Sequence, residues 1–437
     1  MPTQSGQSPR YVVVWVMDAL RADRVQPFHG NARPDVPNLQ RLALTGAVFR
    51  NHWVQGSEPR ASYASLWTSL YPANHGVRVA GERRVVALDR RFTTMAETVK
   101  DAGLFTVGVI GNRLIDMGNG YAEGFETWRN LARRGAAQSG VISASMIIDI
   151  GGKFLANKWK SGPGLLFVGT TDTGKPWLAR EPWTESYDRD PKRPEPYRGP
   201  YVQAVTPAQL GMAPGAMSCN AVPTERDRAR INAIYDSNIS YQDQQLGRLM
   251  ARLADLGIAE QTMIIVAGAH GEELWEHGIC GHGASLRETV VRTPLLIHFP
   301  PLIPSGRIIA DGVESVDVLP TILAALGRPP LDAAQGASLL PLAQGLGTGY
   351  PRATYASQFE VTHAMRIGLW KARVGKSGIP QVYDLQRDPD EKRDLAGESP
   401  LARRFLTDAL SLFLIHRSQW KKRDWGVASN MSGRAAA

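Results

Sequence analysis

Thr262-Met263-Ile264-Ile265-Val266-Ala267-Gly268-Ala269-His270-Gly271-Glu272-Glu273, running on through Glu276-His277-Gly278 to Gly281-His282-Gly283, is the stretch that decides how this chain folds. Thr262 to Ala267 is a short apolar, β-branched run ended by small residues, the pattern of a strand buried in a parallel sheet. Beyond it the chain turns Gly-rich and carries three histidines and three glutamates between positions 270 and 282. In open α/β sheets, ligands and chemistry gather beyond the carboxyl ends of the strands. A functional site is therefore expected in this loop.

Outward from that stretch, the same pattern recurs. Tyr11 to Met17 is a continuous apolar run that reads as a central parallel strand, with Asp18 at its carboxyl end. Phe105 to Ile110, Gly164 to Gly169 and Thr293 to Phe299 read as further strands. Helical spacing marks Thr93 to Gly103 and a long amphipathic stretch from Glu225 to Leu256, just before the strand at 262. Pro37 to Phe49 reads as a short helix leading into a strand, and Leu401 to Trp420 as a terminal helix. Residues 178–223, rich in Pro, Arg and Trp, read as a long excursion over the surface. No internal repeat appears, which excludes a solenoid.

With 437 residues the chain can bury a large core, and one α/β domain with a smaller appendage is the expected plan. A net charge of +9 favours anionic partners such as sulfate or phosphate esters, polyanions or membrane surfaces. Because the Lys and Arg are scattered rather than clustered, nucleic-acid binding is not expected. Two cysteines, Cys219 and Cys280, make no disulfide framework, and Cys280 reads as a small buried filler rather than a nucleophile. Met1 to Arg10 lacks the apolar core of a signal peptide, and no run reaches a membrane span. A cytoplasmic protein is the expectation, although a removed leader would leave the same sequence. Nothing in the sequence speaks to oligomeric state.

Several ordered blocks resemble sulfatases of the alkaline phosphatase superfamily, including arylsulfatases and phosphonate monoester hydrolases. The stretch from 264 to 283 is similar to that family's strand followed by S-D-H-G-E…H-G…G-H-G. Asp18-Ala19-Leu20-Arg21-Ala22-Asp23 resembles D-x-L-R-A-D, and Ala64-Ser65-Leu66 to Tyr71-Pro72 resembles A-S-L-x-T-G-x-Y-P. Gly124 to Trp128, Asp172 to Trp177, Asp317 to Thr321 and Tyr383 to Leu395 each match a family block. The likeness runs from about residue 11 to 415. It implies an α/β fold with an alkaline-phosphatase-like, mostly parallel central sheet flanked by helices. A small C-terminal α+β subdomain should follow. The expected boundaries are 11–345 for the main domain, with 178–223 as its surface insert, and 350–420 for the subdomain. Residues 1–10 and 426–437 are expected as flexible tails.

The resemblance also exposes what is missing. In the family, a Cys or Ser oxidised to formylglycine, or a plain Ser or Thr in phosphoryl-transfer relatives, attacks the ester; the ungapped register puts Pro59 there. Proline has no nucleophilic atom and no donor. Ala269 stands where the metal-binding Asp is expected, and Gly174 where a His contacts the ester. Of the implied metal ligands, Asp18 and His270 remain. A hard cation wants roughly six to eight oxygen ligands for Ca²⁺ and about six for Mg²⁺. The expectation is therefore no ion, or a weakly held divalent cation (Ca, Mg, Mn or Zn), and no formylglycine. Zn²⁺ or Mn²⁺ is conceivable with Asp18, His270 and a third group from Glu272 or His282.

Two readings stay open. In one, the chain is a catalytically impaired member with a binding or regulatory role, whose partner is an anionic ester, a polyanion or another protein. In the other, a shifted register makes Ser57 the nucleophile, with His282 as the contact to the reacting anion. Arg60, Asn112, Lys175 and His277 are candidate anion or substrate contacts. Their plainer readings are a surface Arg, a turn-forming Asn and remnants satisfied by loop hydrogen bonds.

Overall fold

The structure, a computed structural model, describes residues 8–80, 84–134, 142–190, 223–347, 351–358 and 361–422. The first half of the main sheet comprises β1 (Tyr11–Met17), β2 (Ala47–Trp53), β3 (Phe105–Ile110), β4 (Thr127–Asn130) and β5 (Gly164–Thr170). Three more strands follow, β6 (Thr262–Gly268), β7 (Leu295–His298) and β8 (Arg307–Glu314). Their spatial order is β2-β7-β6-β1-β5-β3-β4, with β8 on the outer side of β2. β7 is antiparallel to both β6 and β2, and the other pairings among these eight strands are parallel. β1, β5 and β6 are buried over their whole length, which is why they read as unbroken apolar runs.

Helices cover both faces. α1 (Pro37–Leu44) precedes β2, and α2 (Pro59–Thr68) is buried throughout. α2 begins where Pro59 at its first position presets φ and the Glu58 carboxylate caps the free N–H groups of Arg60 and Ala61. Trp67 of α2 meets Tyr121, Phe125, Trp128 and Phe167 with ring centroids 5.2–5.9 Å apart. On the opposite face, α3 (Glu225–Asp255) lays Ile231, Ile234, Ile239, Leu246, Leu249 and Leu253 into a second core. The insert expected at 178–223 lies outside the described residues from 191 to 222. Among the described residues no helix is long and apolar enough to cross a membrane.

The C-terminal part is an antiparallel meander of β9 (Ala353–Gln358), β10 (Thr362–Ile367), β11 (Trp370–Val374) and β12 (Pro380–Asp384). α4 (Pro400–Lys422) packs Leu406 and Leu410 against it. A buried ionic cluster ties this sheet to the loop after β6. Lys371 lies 3.1 Å from Glu288 and 3.0 Å from Glu391, and Arg366 lies 2.9 Å from Glu288. Removing one member would leave buried charge uncompensated, at a cost of roughly 3–5 kcal/mol.

Glu314, at the end of β8, accepts hydrogen bonds from the Tyr71 hydroxyl (2.5 Å) and the Tyr355 amide (2.8 Å). Burial, and then the neighbouring Asp317, push its carboxyl from 4.5 up to about 7. A folded-state pKa above the unfolded value favours folding while the group is protonated. That contribution is complete below pH 4.5 and is lost as pH rises through about 7. Denaturant midpoints should therefore fall across this window, by a stability loss on the order of 3 kcal/mol. Glu314→Gln should flatten that part of the profile, which chemical denaturation at stepped pH would read.

Candidate active site

The floor of the site is set by register. Met17 pairs with Thr170 on one side and with Gly268 on the other, so β1, β5 and β6 end at one level. The ladder runs one step further, with the Asp18 amide donating to the Thr170 carbonyl and the Ala269 amide to the Met17 carbonyl, each at 2.9 Å. Asp18, Thr171 and Ala269 thus leave the sheet side by side. Ala19 then turns into the left-handed region (φ 55°), which a non-glycine residue adopts only when held there. The Tyr235 hydroxyl of α3 holds it, donating to the Ala19 carbonyl at 2.6 Å and accepting from the Arg21 amide at 3.1 Å.

Above this edge lies a cavity of about 420 Å³. Its wall brings together Asp18, Pro59, Asn112, Gly174, Lys175, His270 and His282, seven positions that the sequence singles out. Ser57, Arg60, Ala269 and His277 are not in that wall.

Asp18 is buried, with Oδ2 accepting from the Asn112 side-chain amide at 2.5 Å and Oδ1 without a hydrogen-bond partner. Burial raises its pKa to about 6, against the lowering effects of the Asn112 amide, the Tyr63 hydroxyl and His282. Asn112 also forms its turn, since its Oδ1 accepts from the Leu114 amide at 2.8 Å. Asn112 thus forms its turn and also binds Asp18 at the cavity wall. Below Asp18, the Thr173 hydroxyl donates to its backbone carbonyl, and Gln242 of α3 donates to Thr173.

His270 is fully buried. Its Nδ1 faces the Gly271 carbonyl at 2.9 Å, while Nε2 has no hydrogen-bond partner. Burial, and then nearby His282, hold its pKa well below the ordinary imidazole range, so the ring is neutral with Nδ1 as the donor. The next turn needs glycine, because a Cβ at Gly271 would stand 2.0 Å from the Thr289 carbonyl oxygen. The chain then pairs with itself, Glu273 with Gly281 and Leu274 with Cys280. Continuing that register one residue outward sets Glu272 against His282, and Glu272 Oε2 lies 2.6 Å from His282 Nδ1. The His270 and His282 ring centroids are 4.1 Å apart.

Lys175 reaches the cavity between the rings of Trp177 (5.0 Å) and Trp275 (5.5 Å). Burial draws its pKa down to about 8, with Glu272 acting in the opposite direction. Behind it, Arg180 is fixed by Asp172 at 2.6 Å and Asn238 at 3.0 Å, and both it and Asp172 line the same wall. Gly174 sits close to the backbone: a Cβ there would stand 3.3 Å from the Thr171 carbonyl oxygen and 3.8 Å from the Ala19 Cβ.

Four expectations need correction. Arg60 is no surface residue and no wall residue, because as the second residue of α2 it is buried beside Glu58, 3.7 Å away. Ser57 is buried outside the cavity wall, since the cap at Glu58 and the start of α2 put Pro59 there instead. His277 is a tie, not an anion contact. Its ring bridges the Glu273 carboxylate (2.8 Å) and the Asp390 carbonyl (2.6 Å), and its pKa is raised, with those bonds outweighing burial. Cys280 is buried but disulfide-bonded rather than a free filler; Cys219 lies outside the described residues. Sequence reasoning missed Arg180, Asn238, Tyr235 and Gln242. The one signal was the polar run from Asp236 to Asp243 on a helix that otherwise reads as amphipathic.

Comparison with known proteins fits this geometry. Residues 10–328 match the Sulfatase family, and residues 276–409 match the C-terminal part of N-sulphoglucosamine sulphohydrolase. The chain is 30% identical over 195 residues to arylsulfatase K of Danio rerio, covering 42% of this chain and 37% of that protein. It thus spans little more than a third of that relative's length in this match. Against arylsulfatase K of Xenopus laevis it is 24% identical over 441 residues, 91% of this chain and 81% of that protein. Against choline-sulfatase of Rhizobium meliloti it is 25% identical over 434 residues, covering 86% and 81%. Two solved structures share the fold. One, in complex with its substrate D-glucosamine-2-N,6-O-disulfate, gives a TM-score of 0.76 at 18% identity and covers 96% of this chain and 99% of its own. The other, phosphonate monoester hydrolase of Agrobacterium radiobacter, gives 0.74 at 20% identity, covering 94% and 96%.

The wall geometry has measurable consequences. Asn112→Ala removes the 2.5 Å donor to the buried Asp18 carboxylate and leaves the hydroxyl of Tyr63 as its remaining side-chain partner. It should cost about 1–3 kcal/mol in denaturant unfolding. Gly174→Ala, by contrast, meets a single close neighbour, the Thr171 carbonyl oxygen, and should cost less than about 2 kcal/mol.

Proposed function

The chain belongs to the sulfatase family, whose reaction is hydrolysis of sulfate esters with a divalent cation, and from that premise we propose that this member has lost the covalent step and uses its cavity to bind an anionic ester. The observation that carries the reading is Pro59. Its pyrrolidine ring lines the cavity with Asp18 and His270, so the wall meets a bound ester with no nucleophilic atom at that position. Gly174 adds no proton donor. Ala269 offers a methyl group beside Asp18, so a single carboxylate is left where a hard cation wants about six oxygens. The residues present do not fit such an ion. Losing the nucleophile and part of the cation cage removes several kcal/mol of transition-state stabilisation, equivalent to several decades of rate.

Binding is supported by what remains. Lys175 and Arg180 supply cationic groups, Asn112 an amide and His282 a ring, all in one wall. A second reading makes Ser57 a nucleophile in a rearranged site. One observation favours it: its buried Oγ has no hydrogen-bond partner among the described residues. The cavity wall, which does not include Ser57, weighs against it.

The purified protein should show no turnover of aryl sulfates, phosphates or phosphonates. Turnover that Asp18→Ala abolishes would overturn the proposal, and its loss in Ser57→Ala would select the second reading. The combined variant Pro59→Ser, Ala269→Asp, Gly174→His should gain phosphoester or sulfate-ester hydrolysis above the parent. Aryl sulfate binding by calorimetry should weaken as pH rises through about 8, where Lys175 loses its charge. Lys175→Met should weaken it about tenfold or more and remove that pH dependence.

A further inference from the structure

We propose that His270, Glu272 and His282 form a binding site for a borderline divalent transition ion such as Zn²⁺, offset from the position where relatives hold a hard cation. One donor atom from each of the three residues lies within 4.8 Å of the others. Tetrahedral Zn²⁺ with bonds of about 2.0–2.2 Å sets its donors roughly 3.4 Å apart, which small side-chain rotations reach from that starting geometry. The trio is buried, and it is the single cluster of this kind among the described residues.

A second, independent observation points to a ligand. His270 Nε2 and Glu272 Oε1 are fully buried polar atoms with no hydrogen-bond partner. Buried polar atoms in folded proteins are nearly always satisfied, and here two of the three clustered residues each keep an open lone pair. Both atoms are lone-pair donors, and a cation is a partner that accepts from both at once. His270 Nε2 carries a lone pair, its partner nitrogen donating to the Gly271 carbonyl at 2.9 Å. An imidazole held by a backbone carbonyl through its other nitrogen is the usual posture of a metal-ligating histidine. Glu272 Oε1 is a carboxylate oxygen, and its Oε2 fixes His282 at 2.6 Å.

The donor set then selects the ion. Two imidazoles and one carboxylate suit Zn²⁺ and its neighbours, whereas Ca²⁺ and Mg²⁺ want oxygen cages. Cys280, next in the hairpin, contributes no thiolate because its sulfur is in a disulfide. Three protein ligands leave a fourth position for water or an anion. His270 and His282 both line the cavity, so that open position would face it. The inference rests on these ligands and holds whether or not catalysis is lost.

The test uses the full-length protein, stripped with chelator and titrated with Zn²⁺ against a chromogenic competitor, with Co²⁺ as a spectroscopic substitute. One equivalent should bind, millimolar Ca²⁺ or Mg²⁺ should not displace it, and Co²⁺ should give the intense visible bands of a low-coordinate site. His270→Ala and His282→Ala should each weaken Zn²⁺ by more than about 100-fold, beyond what loss of an outer-sphere partner costs. Failure to bind Zn²⁺, or preferential binding of Ca²⁺ or Mg²⁺, would overturn the proposal. So would unchanged Zn²⁺ affinity in both variants. Should a variant misfold by circular dichroism, the wild-type Co²⁺ spectrum and cation competition still decide. Ester turnover measured on the same preparation separates the two proposals. Turnover with Zn²⁺ bound sinks only the claim of lost catalysis, and absence of both sinks only the ion site.

Discussion

Parallel pairing that stops β1, β5 and β6 at a common level is the constraint from which the rest of the site follows. Met17, Thr170 and Gly268 are neighbours across three strands, and the next residue of each chain segment is carried one hydrogen bond further before the backbone departs. A one-residue slip in any of these strands would turn every side chain to the other face. Burial on both faces forbids that slip, since each strand is packed between two apolar layers. The position of Asp18 next to Ala269 is therefore fixed by the core, not by anything in the cavity.

A second consequence concerns the polar groups below and around the edge. Tyr235 holds the left-handed turn at Ala19, and Gln242 and Thr173 brace the Asp18 carbonyl. Tyr235 and Gln242 come from α3, a helix whose buried face carries polar residues just where it passes the strand ends, and Thr173 from the loop after β5. The support is complete, while the groups it supports are not: Asp18 Oδ1, His270 Nε2 and Glu272 Oε1 lack hydrogen-bond partners. Pro59, in the same cavity wall, is locally favourable at the start of α2 and chemically mute.

The C-terminal sheet holds the loop in place. His277 reaches the Asp390 carbonyl, Glu391 caps the Glu288 amide at 2.6 Å, and Lys371 lies between Glu288 and Glu391. Together these bonds anchor the middle of the segment that carries His270 and His282 and the chain just beyond it. The subdomain thus acts on the cavity indirectly, by fixing the hairpin that brings Glu272 opposite His282.

By itself the sequence determined the long strands, the helix at 225–255 and the family, because continuous apolar runs and ordered motif blocks are local signals. It also determined that Pro59, Ala269 and Gly174 have no nucleophilic, metal-ligating or proton-donating side chain, since residue identity alone decides that. It did not reveal β7 as antiparallel, the pairing of β8 with β2, or the short hairpin, which depend on contacts distant in sequence. Only the tertiary structure decided which candidates meet. Lys175, Asn112 and His282 converge on Asp18 and His270, while Arg60, Ser57 and His277 are claimed by a helix cap, by burial and by the C-terminal sheet. The reason is physical: spacing along the chain reports on one helix or strand at a time, whereas a site is an intersection of several.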